Sequence, residues 1–152
     1  MTAAIIAVLG TLLGALTAGA MQHLTTVSAR RDRDLQVLAA AVAGLLAAAT
    51  DHRRHQYLKH VLRRMGESES LEFRAARYEA RSGMTKAQTA LMLATDDAEL
   101  LRLAARLADA SNEVGEPDHD DQVAVDEAGD RARTAHADFQ AAAARRLRRP
   151  PR

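Results

Sequence analysis

The residues of this chain best placed by type and spacing to do chemistry cluster between Asp51 and Arg64. His52 and His55 lie one helical turn apart, and Asp51 stands four residues before His55. Two imidazoles and a carboxylate at that spacing can converge on a divalent cation. The surrounding Arg53, Arg54, Lys59, Arg63 and Arg64 would repel one, and no H-E-x-x-H occurs. The same cluster, with His60, offers positive charge to phosphates. No recognised reading module accompanies it, and aromatic side chains for stacking are scarce, with Tyr57, Phe73, Tyr78 and Phe139 alone. Sequence-specific nucleic-acid binding is therefore not expected, and the group reads as a basic patch.

Other constellations fail on inspection. Asp118-His119-Asp120-Asp121 carries oxygen ligands, but the calcium-loop pattern needs Gly where Val123 stands and Glu where Gly129 stands. There is no Cys, no G-x-S-x-G elbow and no G-x-x-x-x-G-K-[ST] loop. Asp96 and Asp97 fit helix capping better than paired acid and base work. The sequence predicts no enzyme, no metal and no cofactor.

The elements that must carry these residues begin with an apolar run from Thr2 to Leu24, free of charged side chains and followed by Arg30, Arg31 and Arg33. A helix rises about 1.5 Å per residue, so roughly twenty residues cross a hydrocarbon core about 30 Å thick. Residues 1–27 are read as a single transmembrane anchor. A cleaved signal, with Ala18-Gly19-Ala20 as the cleavage site, and a buried bundle helix are the alternatives. Juxtamembrane Arg30, Arg31 and Arg33 place the C-terminal part in the cytoplasm by the positive-inside tendency, with the protein in the cell membrane. Gly10 and Gly14 form a G-x-x-x-G pair that would let two membrane helices approach closely, against a filler reading.

The remainder is rich in Ala, Leu, Arg, Glu and Gln, all strong helix formers, and nothing reads as an alternating strand. The fold class is all-α: an N-terminal transmembrane helix, then a helical domain over 28–145 forming a hairpin or small bundle with coiled-coil-like seams, then a basic disordered tail over 146–152. The first cytoplasmic helix is expected from Ser28 to Arg64, with Leu35, Leu38, Val42 and Leu45 facing a partner and Leu58, Val61, Leu62 and Met65 resuming that stripe. The uncharged stretch 35–50 raises a second crossing, but it is short for one, and a bundle helix accounts for it better.

Gly66 should end this helix and Ser68 or Ser70 cap the next. That second helix should run from Glu69 to Ala94, lined by Leu71, Ala75, Tyr78, Ala87 and Leu91, with a bend or restart where Ser82-Gly83 precedes the Thr85 and Gln88 capping pair. A third, capped by Thr95 or Asp96, carries Leu100, Leu101, Ala104, Leu107 and Ala108. After the Val114 to Asp118 turn, a fourth should start at His119 or Asp120 with Val125, Ala128, Ala132, Ala135, Phe139 and Ala142 inward. Charge is uneven although the net is +1: from Thr95 to Asp130 twelve acids face only Arg102 and Arg106. Expected partners are membrane lipid, whose anionic head groups attract cytoplasmic Arg, and a second copy or another helical membrane protein.

The short apolar N-terminus, the Arg-rich stretch after it, the Ala/Leu helix ending in Asp51-His52-Arg53-Arg54 and the segment from Ala80 to Ala87 together resemble small actinomycete membrane proteins labelled KilB-like. That resemblance implies an accessory role in conjugative plasmid transfer or spread through mycelium, lethality under unregulated expression, and no catalytic residues. The alternative is a general envelope-associated helical scaffold with no plasmid role. A DNA-contacting accessory protein is a third reading.

Overall fold

A computed structural model describes the backbone of residues 2–118 and 120–148 and the side chains from Thr26 onward within them. The described residues are helical or in turns, with no strand. The helices are α1 (Thr2–Arg64), α2 (Leu71–Ala94), α3 (Ala98–Glu113) and α4 (Gln122–Arg148). Two compact units divide the chain, Met1–Gln36 and Val37–Arg152. In the first, the backbone is helical and Arg30, Arg31 and Arg33 are exposed. The side chains of Gly10 and Gly14, and of the rest of the expected anchor before Thr26, lie outside the described residues.

The second unit is a helical bundle whose boundaries follow from capping chemistry. Helix α1 stops in a Schellman arrangement: Gly66 takes φ +70, its amide donates to the Arg63 carbonyl at 3.0 Å, and the Glu67 amide donates to the Leu62 carbonyl at 3.0 Å. Ser70 caps α2 by accepting from the Phe73 amide at 3.1 Å, and Asp97 caps α3 by accepting from the Leu100 amide at 3.1 Å. Asp121 does the same for α4, accepting from the Ala124 amide at 2.9 Å. The fourth helix thus starts later than expected, because its capping carboxylate is Asp121; His119 lies outside the described residues. It also continues to Arg148, so Arg146 to Arg148 are helical rather than part of a tail. Residues 149–152 lie outside the described residues.

Helix α2 does not break at Ser82-Gly83. The Thr85 hydroxyl donates back to the Arg81 carbonyl at 3.3 Å instead of capping a new helix. Met84 and Leu91, both in the core, hold this stretch helical against a glycine cost of about 1 kcal/mol.

The core is shared by all four helices. Leu38, Val42, Leu45 and Ala49 of α1 meet Met84 and Leu91 of α2, Leu100 and Leu107 of α3, and Phe139 of α4, which is fully buried. Every inward position expected on α4, from Val125 to Ala142, is buried. On α2 the expectation fails for the first half: Leu71 is 82% exposed and Tyr78 57%, while Ala80, Met84 and Leu91 form the inward row. Among the described residues, Thr26–Arg64 is the one helical stretch long and apolar enough to cross a membrane, with a mean hydropathy of 1.4 in its best window and 33% of that window buried. Its uncharged part supplies the core residues from Leu38 to Ala49.

Candidate functional site

The stripe that begins with Leu38, Val42, Leu45 and Ala49 continues inward through His52, Gln56 and His60, all buried. Steps of three and four residues keep these seven positions on one helix face. Leu58, Val61 and Met65, expected to resume the stripe, fall on other faces and are 39%, 40% and 65% exposed. The bundle therefore changes character along α1, from an apolar half to a polar half, with no change of face.

The polar half is tied to the end of α3. His60 Nε2 donates to the Val114 carbonyl at 2.8 Å, and the Lys59 ammonium donates to the Gly115 carbonyl at 2.7 Å. These bonds satisfy carbonyls that a helix terminus leaves without intrahelical donors. A Cβ at Gly115 would meet the end of the Gln56 side chain, which would have to swing aside. Gln56 Nε2 lies 3.2 Å from His52 Nε2. His52 Nδ1, Gln56 Oε1, His60 Nδ1 and Arg77 Nε are buried without a protein partner.

Both buried imidazoles are held below the usual histidine range. For His52 desolvation is the main cause, reinforced by Arg81, His55 and Arg77 and partly opposed by the Asn112 side chain. For His60 desolvation again leads, the Val114 carbonyl opposes it, and Lys59, Arg63 and Arg64 add to it. Each ring is thus neutral at neutral pH.

On the opposite side of α1, Arg53 reaches α4. Its guanidinium donates to the Ala132 carbonyl at 3.3 Å, lies 3.3 Å from His136 Nδ1, and meets Thr50 Oγ1 at 3.2 Å. Desolvation lowers its pKa, and Arg133 lowers it further against an opposing Tyr57 contribution. Tyr57 packs with Val114, Ala128 and Ala132, and its hydroxyl sits where a Cβ on Gly129 would be. Arg133 is bound to Asp130 and donates to the Tyr57 hydroxyl at 3.5 Å.

The expected basic patch is therefore divided among several faces. Arg53 is directed to α4 and Lys59 to the 114–115 turn. Arg54 is exposed, 4.0 Å from Asp51. Arg63 meets Glu69 at 3.8 Å, and Arg64 donates to Gln122. Sequence reading missed the inward role of His52, Gln56 and His60; the signal available was their unbroken spacing from Leu45. Among the described residues no three His, Cys, Asp or Glu side chains are grouped as a metal set.

Between the polar half of α1, the middle of α2 and the end of α3 lies an open cavity of about 450 Å³. His52, Gln56 and Lys59 line its α1 wall, Arg77 and Arg81 its α2 wall, and Asn112 its α3 wall. Arg77 is anchored by Glu69 at 3.1 Å and stacks over the Tyr78 ring at 5.3 Å. The arrangement offers hydrogen bonding and charge, with no nucleophile beside a base.

Fold and site together define an all-helical bundle protein with an apolar half and an internally hydrogen-bonded polar half. The chain belongs to the KilB plasmid transfer protein family, whose family model matches residues 39–147. That span takes in the bundle portion of α1 and almost all of the remaining helices. Protein KilB of Streptomyces lividans is 41% identical over 80 residues, which is 53% of this chain and 54% of that relative. The chain thus matches about half the length of this curated relative. No solved structure matches.

Proposed function

We propose that this chain is a membrane-anchored helical interaction protein, an accessory factor in conjugative plasmid transfer or spread. Membership of the KilB plasmid transfer family carries this reading. The uncharged run over 1–27 supplies the anchor, and Arg30, Arg31 and Arg33 keep the bundle on the cytoplasmic side. Gly10 and Gly14 support self-association or pairing with another membrane helix. The work is then placement and contact rather than covalent chemistry, and lipid is the first partner.

A clean deletion of the gene in a mycelial host tests this. Plasmid spread should fall while replication is unchanged, and overexpression should impair growth only with residues 1–27 present. Unchanged spread would discard the plasmid role and favour the envelope scaffold. Toxicity from a chain lacking residues 1–27 would remove membrane placement from the mechanism.

A further inference from the structure

We propose that the cavity between α1, α2 and α3 binds a small organic oxyanion, a carboxylate or phosphate on a ligand of metabolite size. Its volume of about 450 Å³ falls within the range of small-molecule sites, roughly 300–1,000 Å³. Its depth holds buried polar groups with no protein partner. His52 is fully buried and Gln56 nearly so, and both line the cavity. The Gln56 amide nitrogen donates to His52 Nε2 at 3.2 Å, which puts the ring proton on Nδ1. Nδ1 is then a donor with no partner at hydrogen-bonding distance, although the Asn112 side chain beside it favours a charged ring, and the Nε of Arg77 is a second donor without a partner. Two buried donors left unmade are costly, and an oxyanion accepts from both.

Charge selects the same ligand. Arg81 borders the cavity with no carboxylate partner among the described residues, and the Lys59 ammonium is bound only to a carbonyl. The acids of the cavity lie outward: Asp109 and Glu116 are exposed, and Glu113 is engaged by Arg131 at 3.5 Å. A compact anion reaches the donors beneath them. An extended polyanion such as a nucleic-acid strand would meet those acids along its length, so the site favours a small ligand. This inference is independent of plasmid transfer and of the anchor.

The test is calorimetric titration of the full chain in neutral detergent with sodium phosphate and with sodium acetate, against sodium chloride at matched ionic strength. Saturable binding of either oxyanion is expected, with a shift of the His52 ring nitrogen resonances. Arg81→Ala should weaken binding about tenfold or more, since a hydrogen bond to a charged group is lost. Arg81 is exposed, so the unfolding temperature in chloride should not move. Arg102→Ala, whose guanidinium is held by Glu99 at 2.7 Å on another face, should leave binding intact. Absence of saturable binding for both anions, or equal weakening by the two substitutions, would overturn the proposal; the first outcome would leave ordered water as the partner of the buried donors.

Discussion

The two buried histidines make the bundle sensitive to mild acid, and the direction follows from their surroundings. His52 and His60 have folded-state pKa values below the ordinary 6.5, whereas in the unfolded chain they return to about that value. The unfolded state therefore binds more protons as pH falls through 6.5, and stability falls with it. Above that pH both rings are neutral in either state, and this contribution is flat. Below it, each ring costs stability at no more than about 1.4 kcal/mol per pH unit until its own folded-state value is reached. Two rings thus remove up to about 3 kcal/mol by pH 5.5, a large share of the 5–15 kcal/mol typical of a domain.

The charges facing these rings reinforce the direction. His52 faces Arg81, Arg77 and His55, and His60 faces Lys59, Arg63 and Arg64. No carboxylate is among the groups that shift either ring; the Asn112 side chain and the Val114 carbonyl favour the charged forms, and burial outweighs both. Urea unfolding of the full chain, followed by circular dichroism from pH 7.5 to 5.5, measures the effect. His60→Gln keeps a donor for the Val114 carbonyl and should remove part of the slope, as should His52→Gln; His136, also lowered by burial and by Arg53, supplies the remainder. A flat profile, a rise toward pH 5.5, or a slope untouched by both substitutions would refute the reasoning.

Gly129→Ala should lower stability by about 1–3 kcal/mol, because its Cβ enters the space of the Tyr57 hydroxyl, and Tyr57→Phe in the same chain should recover part of the loss in thermal unfolding. Phe139→Ala should cost about 3–5 kcal/mol, since the ring is fully buried where all four helices meet; the shift of the urea midpoint checks this. In cell fractions the protein should sediment with membranes and resist alkaline extraction. Replacing Leu12 and Leu13 by Arg should release it at about 2.5–3.5 kcal/mol each, and recovery of the unsubstituted chain in the soluble fraction would remove the anchor from the reading.

The helices were legible because each boundary carries its own chemistry. Gly66 and Ser70 act locally, through one positive φ and one side-chain cap, and local signals survive in a sequence; the cap of α3 is Asp97, one residue past the expected Thr95 or Asp96. The inward face of α4 was equally plain, since Val125, Ala128, Ala132, Ala135, Phe139 and Ala142 repeat at helical spacing amid charged neighbours. Where reading failed, hydrophobicity was the wrong guide. Leu58, Val61 and Met65 drew the stripe off its face, and Leu71 and Tyr78 did the same on α2, because an apolar side chain on a solvent face leaves no mark in the sequence.

The polar half of α1 shows why. His52, Gln56 and His60 are buried by geometry alone: a straight helix carries the Leu38 face onward, and α3 ends in a turn whose carbonyls need donors. The requirement for His60 and Lys59 thus comes from Val114 and Gly115, more than fifty residues away in the chain. Asp51-His52-Arg53-Arg54, which from sequence looked like one chemical unit, is four consecutive residues sent three ways: Asp51 and Arg54 to solvent, His52 to the interior and Arg53 to α4. A run of charged and imidazole side chains on a helix is first a rotation of about a hundred degrees per residue, and only the positions that share a face can share a function. By that test the residues able to act together are His52, Gln56 and Lys59 with Arg77 and Arg81 across the cavity. Of these, the cluster singled out in the sequence contained His52 and Lys59, while Gln56, Arg77 and Arg81 lay outside it.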